Sequence, residues 1–341
     1  MSLLFLVACG PNPTSGEVKE ANATPASNEK ADYTIVIHGG AGSMTKKHTS
    51  PEKERAINKI LNEALDKGES ILKNGGSAMD AVEQTIMVME NSPYFNAGKG
   101  AVLTYNGSNE LDASFMDGSN LKAGAVGGVT IIKNPIRAAR AVMEQSPHVL
   151  LSGEGANTFA KEQGLEVVDP SYFLTESSKK ELKRIKEEQQ KTGSIEESKN
   201  QDYKYGTVGC VALDKNGNLA AGTSTGGMSN KRWNRIGDSP IIGAGTYAKN
   251  STCAVSCTGH GEFFIRYAVA YDMSALMEYK GLSVEEAGNH IINEKLKDVN
   301  GAGGLIAVDK NGNVVMPFNT PGMYRGYSKP GERVVEVYGE E

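Results

Sequence analysis

Hydrophobic and polar positions in the first half of the chain follow a helical period in some stretches and a strand-like pattern in others. Residues 50–72, which begin Ser-Pro, and residues 77–90, which begin with the capping pattern S-x-x-D, carry apolar residues three to four positions apart. Both stretches predict helices, and residues 135–146 predict a third. β-Branched runs at 33–42 and 126–134 predict strands, the first ending in a glycine-rich loop. The pattern therefore indicates mixed α/β structure.

The second half contains two similar hairpin patterns with helical patterns between them. Residues 210–222 and 305–317 each have an apolar strand, the letters D-K-N-G-N and another apolar strand. Residues 261–279 and 284–297 have helical spacing. This order favours layered sheets with helices outside over a doubly wound parallel sheet.

A polar segment separates the two halves. Residues 175–204 are almost entirely charged or polar, with Leu182 and Ile185 as the main apolar points. The composition predicts a solvated helix followed by a mobile linker, where a chain tolerates a break.

The first residues predict targeting rather than fold. Residues 1–9 are apolar and end in the pattern Leu6-x-Ala8-Cys9, which resembles the end of a bacterial lipoprotein signal, with Cys9 as the lipidated residue. Residues 10–31 are rich in Pro, Asn, Ser and Ala and predict a flexible tether. We therefore expect a lipid-anchored or periplasmic protein of the bacterial cell envelope, with a single folded domain over residues 32–341.

Charge and cysteine content exclude some classes of function. The 36 basic and 41 acidic residues give a net charge of −5, which offers no electrostatic reason to expect nucleic acid as a partner. Five histidines occur without a close metal-ligand spacing, so a metallopeptidase is poorly supported. Cys253 and Cys257 would lie roughly 13 Å apart on one strand, beyond disulfide reach, so we expect them and Cys210 to be core thiols.

Two threonines meet at the end of the first hairpin pattern. If the turn centres on Asn216, Thr207 lies opposite Thr225, with their Cβ atoms about 5 Å apart. Cleavage after Gly206 would give Thr207 a free α-amine with a pKa of about 8, able to act as the base for its own hydroxyl. The residues alone leave open whether these are catalytic groups or two ordinary strand threonines.

Five motifs settle this ambiguity by resemblance. The segments IHGGAG (37–42), FNAGKGAVLT (95–104), GTVGCVALDKNGNLAAGTSTGGMSNK (206–231), RIGDSPIIGAGTYA (235–248) and AVSCTGHGEFFIRYAVAYD (254–272) resemble the plant-type asparaginase/isoaspartyl peptidase family of N-terminal nucleophile hydrolases. The resemblance runs from about residue 33 to the C-terminus and implies a four-layer αββα sandwich. It implies an enzyme that cuts itself between Gly206 and Thr207 and then hydrolyses L-asparagine or β-aspartyl dipeptides to release L-aspartate.

The resemblance also implies a role for each matching residue. Thr207 matches the nucleophile, and Thr225 matches the threonine bonded to it. Arg235 matches the residue that binds the substrate α-carboxylate, for which a guanidinium supplies paired donors, and Asp238 matches the partner of the α-ammonium. The remaining matches are Thr258 and Gly259 as oxyanion donors that also contact substrate, and Asn96 as an active-site asparagine.

No organic cofactor is expected, but the 89–99 loop resembles one that holds a structural sodium ion. The implied ligands are the backbone carbonyl oxygens of Met89, Glu90, Ser92, Phe95, Ala97 and Lys99. Carbonyl oxygens suit a hard cation, although composition alone does not identify sodium. The resemblance further implies two chains, about 10–206 and 207–341, assembled as an (αβ)2 dimer.

Some features depart from the family, and other functions compete. His260 stands where a small or hydroxyl residue is expected, and Trp233 and Asn234 precede Arg235 where relatives have a smaller residue, so the leaving-group preference is open. Glycosylasparaginase is the nearest alternative, although Gly206 before the nucleophile favours the isoaspartyl branch. The letters GTSTG around Ser224 match the G-x-S-x-G motif of a different hydrolase class. An inactive envelope binding lipoprotein is the non-enzymatic alternative.

Overall fold

The computed structural model describes residues 31–192 and 204–339. The predicted signal at 1–9, nearly all of the predicted tether at 10–31, and residues 193–203 of the predicted linker lie outside these ranges. The first part of the 175–204 segment is helical as predicted, and its two main apolar residues, Leu182 and Ile185, are buried. Within the described ranges, no helix is long and apolar enough to cross a membrane.

The helices, in chain order, are α1 (Pro51–Lys73), α2 (Ala78–Glu90), α3 (Pro135–Gln145), α4 (Gly153–Glu162), α5 (Glu176–Thr192), α6 (Gly261–Tyr267), α7 (Val269–Lys280), α8 (Val284–Asn289) and α9 (Leu296–Asp298). A π-helical segment, His290–Lys295, joins α8 to α9, and short 3-10 turns occur at Lys46–His48, Gly98–Gly100 and Pro170–Phe173. Ser50 and Ser77 cap α1 and α2 as predicted, because their hydroxyls accept the backbone N–H of Lys53 and Asp80.

The strands are β1 (Thr34–Gly42), β2 (Leu111–Asp117), β3 (Ala123–Val129), β4 (Leu150–Ser152), β5 (Lys204–Tyr205), β6 (Val208–Leu213), β7 (Leu219–Thr225), β8 (Thr246–Ala248), β9 (Cys253–Gly259), β10 (Gly303–Asp309), β11 (Val314–Val315), β12 (Gly322–Lys329) and β13 (Glu332–Glu336). In the described ranges they form a nine-stranded sheet, in the order β13-β12-β1-β6-β7-β2-β3-β4 with β5 beside β1. A four-stranded sheet has the order β11-β10-β9-β8.

The two sheets stack face to face, and helices cover their outer faces. Helices α1, α2 and α3 pack on the large sheet, and α7 and α8 pack on the small one. Between the sheets lies an apolar cluster that includes Val36, Val211, Leu219, Ile306 and Val308. Burial of these apolar faces on both sides of each sheet stabilises the arrangement. The fold is the predicted four-layer αββα sandwich.

The hairpin that carries the two threonines has the predicted register. β6 pairs antiparallel with β7, with Val208 opposite Ser224 and Leu213 opposite Leu219. The turn between them is fixed by Asp214, whose carboxylate accepts the backbone N–H groups of Asn216 and Asn218. Thr207 therefore enters the strand opposite Thr225.

Three local predictions are wrong. The glycine-rich letters after His38 belong to β1 rather than to a loop, because a bulge between His38 and Ala41 absorbs them and Gly40 adopts a φ of 106°. The helix predicted at 261–279 is two helices, because Ala268 takes a left-handed conformation with a φ of 47°. The strand predicted at 126–134 begins earlier, at Ala123, where it pairs with Met116 of the unpredicted strand β2.

Candidate active site

The centre of the candidate site is a pair of buried threonine hydroxyls. Thr207 Oγ1 lies 3.0 Å from Thr225 Oγ1, and both residues are buried. The pair exists because the β6–β7 register places the two residues opposite each other where the hairpin ends. The chain is continuous through Gly206 and Thr207, so this geometry describes the protein before any cleavage.

Thr225 has a second hydrogen-bond partner besides Thr207. Thr225 Oγ1 accepts the backbone N–H of Gly227 at 3.0 Å. Its own proton can be donated to the oxygen of Thr207. A donor in this position stabilises negative charge on Thr207 Oγ1 and leaves the Thr207 proton to another base.

Asn96 connects the peptide before Thr207 to the residues that follow Thr225 at the same end of the hairpin. Its backbone N–H donates to the carbonyl oxygen of Gly206 at 2.9 Å, and its backbone carbonyl accepts the N–H of Gly226 at 2.9 Å. Its side-chain amide donates to the carbonyl of Gly227 at 2.7 Å. A Cβ on Gly206 would lie 2.7 Å from the Asn96 Cβ, so this approach requires glycine.

A second group of site residues is formed by charged side chains. Arg235 donates from Nε and Nη2 to the two carboxylate oxygens of Glu262, each at 2.9 Å. Arg235 Nη2 and Asp238 Oδ1 both lie within 3 Å of the position that a Cβ on Gly261 would occupy, so the guanidinium and the carboxylate share this corner. His260 Nε2 lies 3.2 Å from Glu262 Oε2.

The buried carboxylate of Asp238 is the next feature of the site. Within the described ranges, the buried atom Asp238 Oδ2 has no hydrogen-bond partner. Burial raises the pKa of Asp238 to about 7, and the neighbouring Arg235 opposes the shift. A cation bound beside this oxygen would satisfy it and favour the charged form.

Thr258 and Gly259 end strand β9, which belongs to the small sheet. Thr258 Oγ1 lies 3.4 Å from the backbone nitrogen of Ala41 in β1, so the side chain faces the large sheet. Gly259 packs so closely that a Cβ would lie 2.5 Å from the carbonyl oxygen of Ala302. The ends of β1, β6, β7 and β9 thus contribute to one buried region.

Comparison with known proteins shows the family of this chain. Residues 31–337 match the family model described as asparaginase. The chain belongs to the asparaginase family. It is 50% identical over 303 residues to an isoaspartyl peptidase of Salmonella typhimurium, with 87% of this chain and 96% of the relative covered. An isoaspartyl peptidase of Escherichia coli is 49% identical, covering 87% and 93%. The human isoaspartyl peptidase/L-asparaginase is 42% identical, covering 87% and 94%.

The 89–99 loop of this family member folds tightly around its backbone carbonyls. A Cβ on Gly98 would lie 2.3 Å from the carbonyl oxygen of Glu90, and one on Gly100 would lie 2.1 Å from that of Phe95. The glycines at 98 and 100 therefore let the backbone approach the carbonyl oxygens of Glu90 and Phe95, two of the expected sodium ligands. The described residues contain no cluster of His, Cys, Asp and Glu side chains that could hold a metal ion.

The alternative nucleophile, Ser224, is in the wrong structural setting. It lies within strand β7, fully buried, and its hydroxyl donates to Glu90 Oε1 at 2.6 Å. A G-x-S-x-G nucleophile needs an exposed strand–turn–helix elbow. The G-x-S-x-G interpretation is therefore wrong.

Sequence reasoning missed the roles of three side chains of this region. Glu262 holds the guanidinium of Arg235, and the buried carboxylate of Glu90 accepts bonds from Ser224, Asn134 and the backbone of Ile136. His38 contacts the backbone of Thr207. Glu262 and His38 stand inside motifs that carried the family resemblance, and this was the available signal.

Proposed function

We propose that this protein is a threonine-nucleophile amidohydrolase that hydrolyses the side-chain amide of L-asparagine and the isopeptide bond of β-aspartyl dipeptides, releasing L-aspartate. The observation that carries the proposal is the buried pair of hydroxyls, with Thr207 Oγ1 3.0 Å from Thr225 Oγ1 directly after Gly206. The names of the bacterial and human relatives support the substrate class.

The first reaction is self-cleavage. Thr207 Oγ1 attacks the carbonyl carbon of Gly206, whose oxygen is held by the N–H of Asn96. This N–H stabilises the developing oxyanion. Collapse breaks the C–N bond and transfers the acyl group to the oxygen, the former amide nitrogen becomes the Thr207 α-amine, and water hydrolyses the ester to leave two chains.

The second reaction uses the new α-amine. The amine takes the proton of Thr207 Oγ1, which attacks the substrate side-chain carbonyl, while Thr225 donates to the same oxygen. Thr258 and Gly259 stabilise the tetrahedral oxyanion. Ammonia or an amino acid leaves with the transferred proton, and water releases aspartate from the acyl-enzyme.

The charged side chains of Arg235 and Asp238 would hold the two ends of the substrate backbone. The unpartnered oxygen of Asp238 would accept the α-ammonium, and Arg235 would bind the α-carboxylate with donors that Glu262 does not occupy. Glu262 fixes the guanidinium plane, so an aspartyl group bound at both ends would present its side-chain carbonyl to Thr207.

Three further features belong to the proposal. Sodium would be held by the backbone carbonyls of the 89–99 loop and would stiffen the segment that carries Asn96, and no organic cofactor is required. Two processed pairs would assemble as (αβ)2, measurable by light scattering. The pattern before Cys9 supports an envelope location with a lipid anchor on Cys9. A Cys9→Ser variant that still partitions with membranes would contradict the lipid anchor.

The test is intact mass spectrometry of the purified protein, followed by assays with L-asparagine and a β-aspartyl dipeptide. We expect two fragments, the second beginning at Thr207, and release of aspartate. Thr207→Ala should stay whole and inactive, and the matched Thr207→Ser variant, which keeps a hydroxyl, should still cleave. A wild-type chain that stays whole and inactive would contradict the proposal.

A further inference from the structure

His38 has a buried environment that the proposed reaction does not yet explain. The imidazole is fully buried between the two sheets, and its Nδ1 lies 3.1 Å from the carbonyl oxygen of Thr207. Its Nε2 lies 2.9 Å from Ser256 Oγ on β9. One ring therefore connects the backbone of the nucleophile to the facing sheet.

The hydrogen bond to Thr207 lies where the main-chain ladder is interrupted. β1 pairs with β6 from Thr34 to His38, which is opposite Gly209, and pairs again with β5 at Ala41, opposite Tyr205. Thr207 lies between these two stretches. The His38 side chain thus bonds a carbonyl at the gap in the ladder, one bond away from the Cα that carries the nucleophile.

Gly209 makes room for this arrangement. A Cβ at this position would lie 2.2 Å from His38 Nε2 and 2.0 Å from Ser256 Oγ. The contact between the imidazole and the serine thus occupies the space that any larger residue at 209 would fill. The absence of a side chain here is required by the His38–Ser256 bond, not by the backbone conformation.

Ser256 begins a chain of buried hydroxyls that crosses between the sheets. Thr223 Oγ1 on β7 lies 2.7 Å from Ser256 Oγ and 2.6 Å from Thr246 Oγ1 on β8. Ser114 Oγ on β2 lies 2.7 Å from Thr246 Oγ1 and 2.6 Å from the carbonyl of Ser239. All four hydroxyl residues are buried, and the chain ends beside Asp238.

Counting protons fixes the tautomer of His38. A carbonyl only accepts, so Nδ1 must carry the hydrogen that bonds Thr207, and in a neutral imidazole Nε2 must then accept from Ser256. Ser256 therefore gives its proton to His38 and can accept from Thr223. At the far end, Ser114 gives its proton to the carbonyl oxygen of Ser239 and accepts from Thr246, so the two ends of the chain donate in opposite directions. Burial lowers the pKa of His38 to about 3, which agrees with a neutral ring.

We propose that His38 is a positioning residue for Thr207, held as the Nδ1–H tautomer by the carbonyl of Thr207 on one side and the hydroxyl of Ser256 on the other. A buried polar chain of this kind is rigid only when every member is bonded. By fixing the Thr207 carbonyl, the ring fixes the orientation of the adjacent α-amine and Oγ1, both in self-cleavage and in turnover. The inference rests on the proposed function of Thr207.

The chain offers a matched pair of variants. Ser256→Ala removes the hydroxyl that bonds His38, and Ser274→Ala removes another buried serine hydroxyl, 2.7 Å from Thr252 Oγ1 on the far side of the small sheet. Both should lower the melting temperature to a similar extent. Only Ser256→Ala should reduce kcat, by about tenfold or more, with KM little changed, because a displacement of order 1 Å at the reacting groups costs up to about 100-fold.

The tautomer of His38 gives a second measurement, which needs no substitution in the hydroxyl chain. In wild-type protein labelled with 15N-histidine, the His38 signals should show a protonated Nδ1 and an unprotonated Nε2 at neutral pH. The Nε2–H tautomer, or equal kcat values in the two serine variants, would overturn the inference while the proposed function stands. Failure of wild-type cleavage and hydrolysis would overturn the proposed function, and the tautomer would still be measured.

Discussion

Substitution of Gly206 by alanine tests how closely the peptide that would be cut must approach Asn96. The added Cβ would lie 2.7 Å from Asn96 Cβ and 3.0 Å from Asn96 N. To reach ordinary van der Waals contact, the two segments must separate by about 0.7 Å, which lengthens the bond from Asn96 N to the Gly206 carbonyl and turns the carbonyl away from Thr207. Overpacking of this kind also costs about 1–3 kcal/mol of stability.

We expect Gly206→Ala to slow self-cleavage by about 10- to 100-fold, because near-attack geometry is lost while the nucleophile is unchanged. The assay follows the fraction of uncut chain by gel electrophoresis and intact mass after the protein is brought to neutral pH. Gly155→Ala is the matched control, since a Cβ at that helical glycine meets nothing within 4 Å. It should cleave at the wild-type rate.

The result that refutes the reasoning is cleavage of Gly206→Ala at the wild-type rate. Asn96 would then contribute nothing through its contact with the Gly206 carbonyl. Urea denaturation of the uncut chain gives a second comparison, and an unfolding free energy equal to that of Gly155→Ala would also contradict the predicted clash.

Three other predictions concern the mature site. Thr225→Val should lower kcat by about 10- to 100-fold, the value of one hydrogen bond to a charged oxygen, measured by aspartate release; an unchanged kcat would contradict the donor role. Asp238→Asn should raise KM for asparagine. It should also raise the free energy of unfolding above pH 7. The pKa of Asp238 is raised to about 7 in the folded protein, so the folded wild-type protein binds one more proton than the unfolded chain between about pH 4 and 7. Wild-type stability therefore falls as the pH rises through this range. If the stability of the variant depended on pH as steeply as that of the wild type, this carboxylate would be excluded as the source of the dependence. Replacing sodium chloride by choline chloride at equal ionic strength should lower the melting temperature and slow cleavage, and equal values in both salts would contradict the sodium site.

Much of the fold could be predicted because its signals are local. The capping serines of α1 and α2 and the D-K-N-G-N turns act within a few residues of themselves, so the sequence indicates them directly. The register that joins Thr207 to Thr225 follows from one such turn. Strand β2 was missed because it owes its place to pairing with β3 and β7, which no local pattern encodes.

The remaining errors share a physical cause. Ala268 breaks a helical pattern without a glycine or proline, and the backbone N–H groups of Ala270 and Tyr271 bond instead to the carbonyls of Ala244 and Gly243, which lie far away in sequence. The contact between His38 and Ser256 spans 218 positions, and that between Arg235 and Glu262 spans 27. Residue types at such separations become partners only through the stacking of two sheets, which sequence spacing alone does not describe.

The contacts of Asn96 separate the two reactions of the site. Its backbone N–H holds the Gly206 carbonyl, a bond that belongs to the uncut chain, while its side-chain amide holds Gly227 and its side-chain oxygen accepts from Val102. The side-chain bonds do not involve the peptide to be cut, so they persist in the mature enzyme. Substitutions at 206 therefore act on cleavage, since cutting leaves residue 206 as the end of the other chain. Substitution of the Asn96 side chain acts on the pocket that remains, because it frees the 226–227 turn beside Thr225.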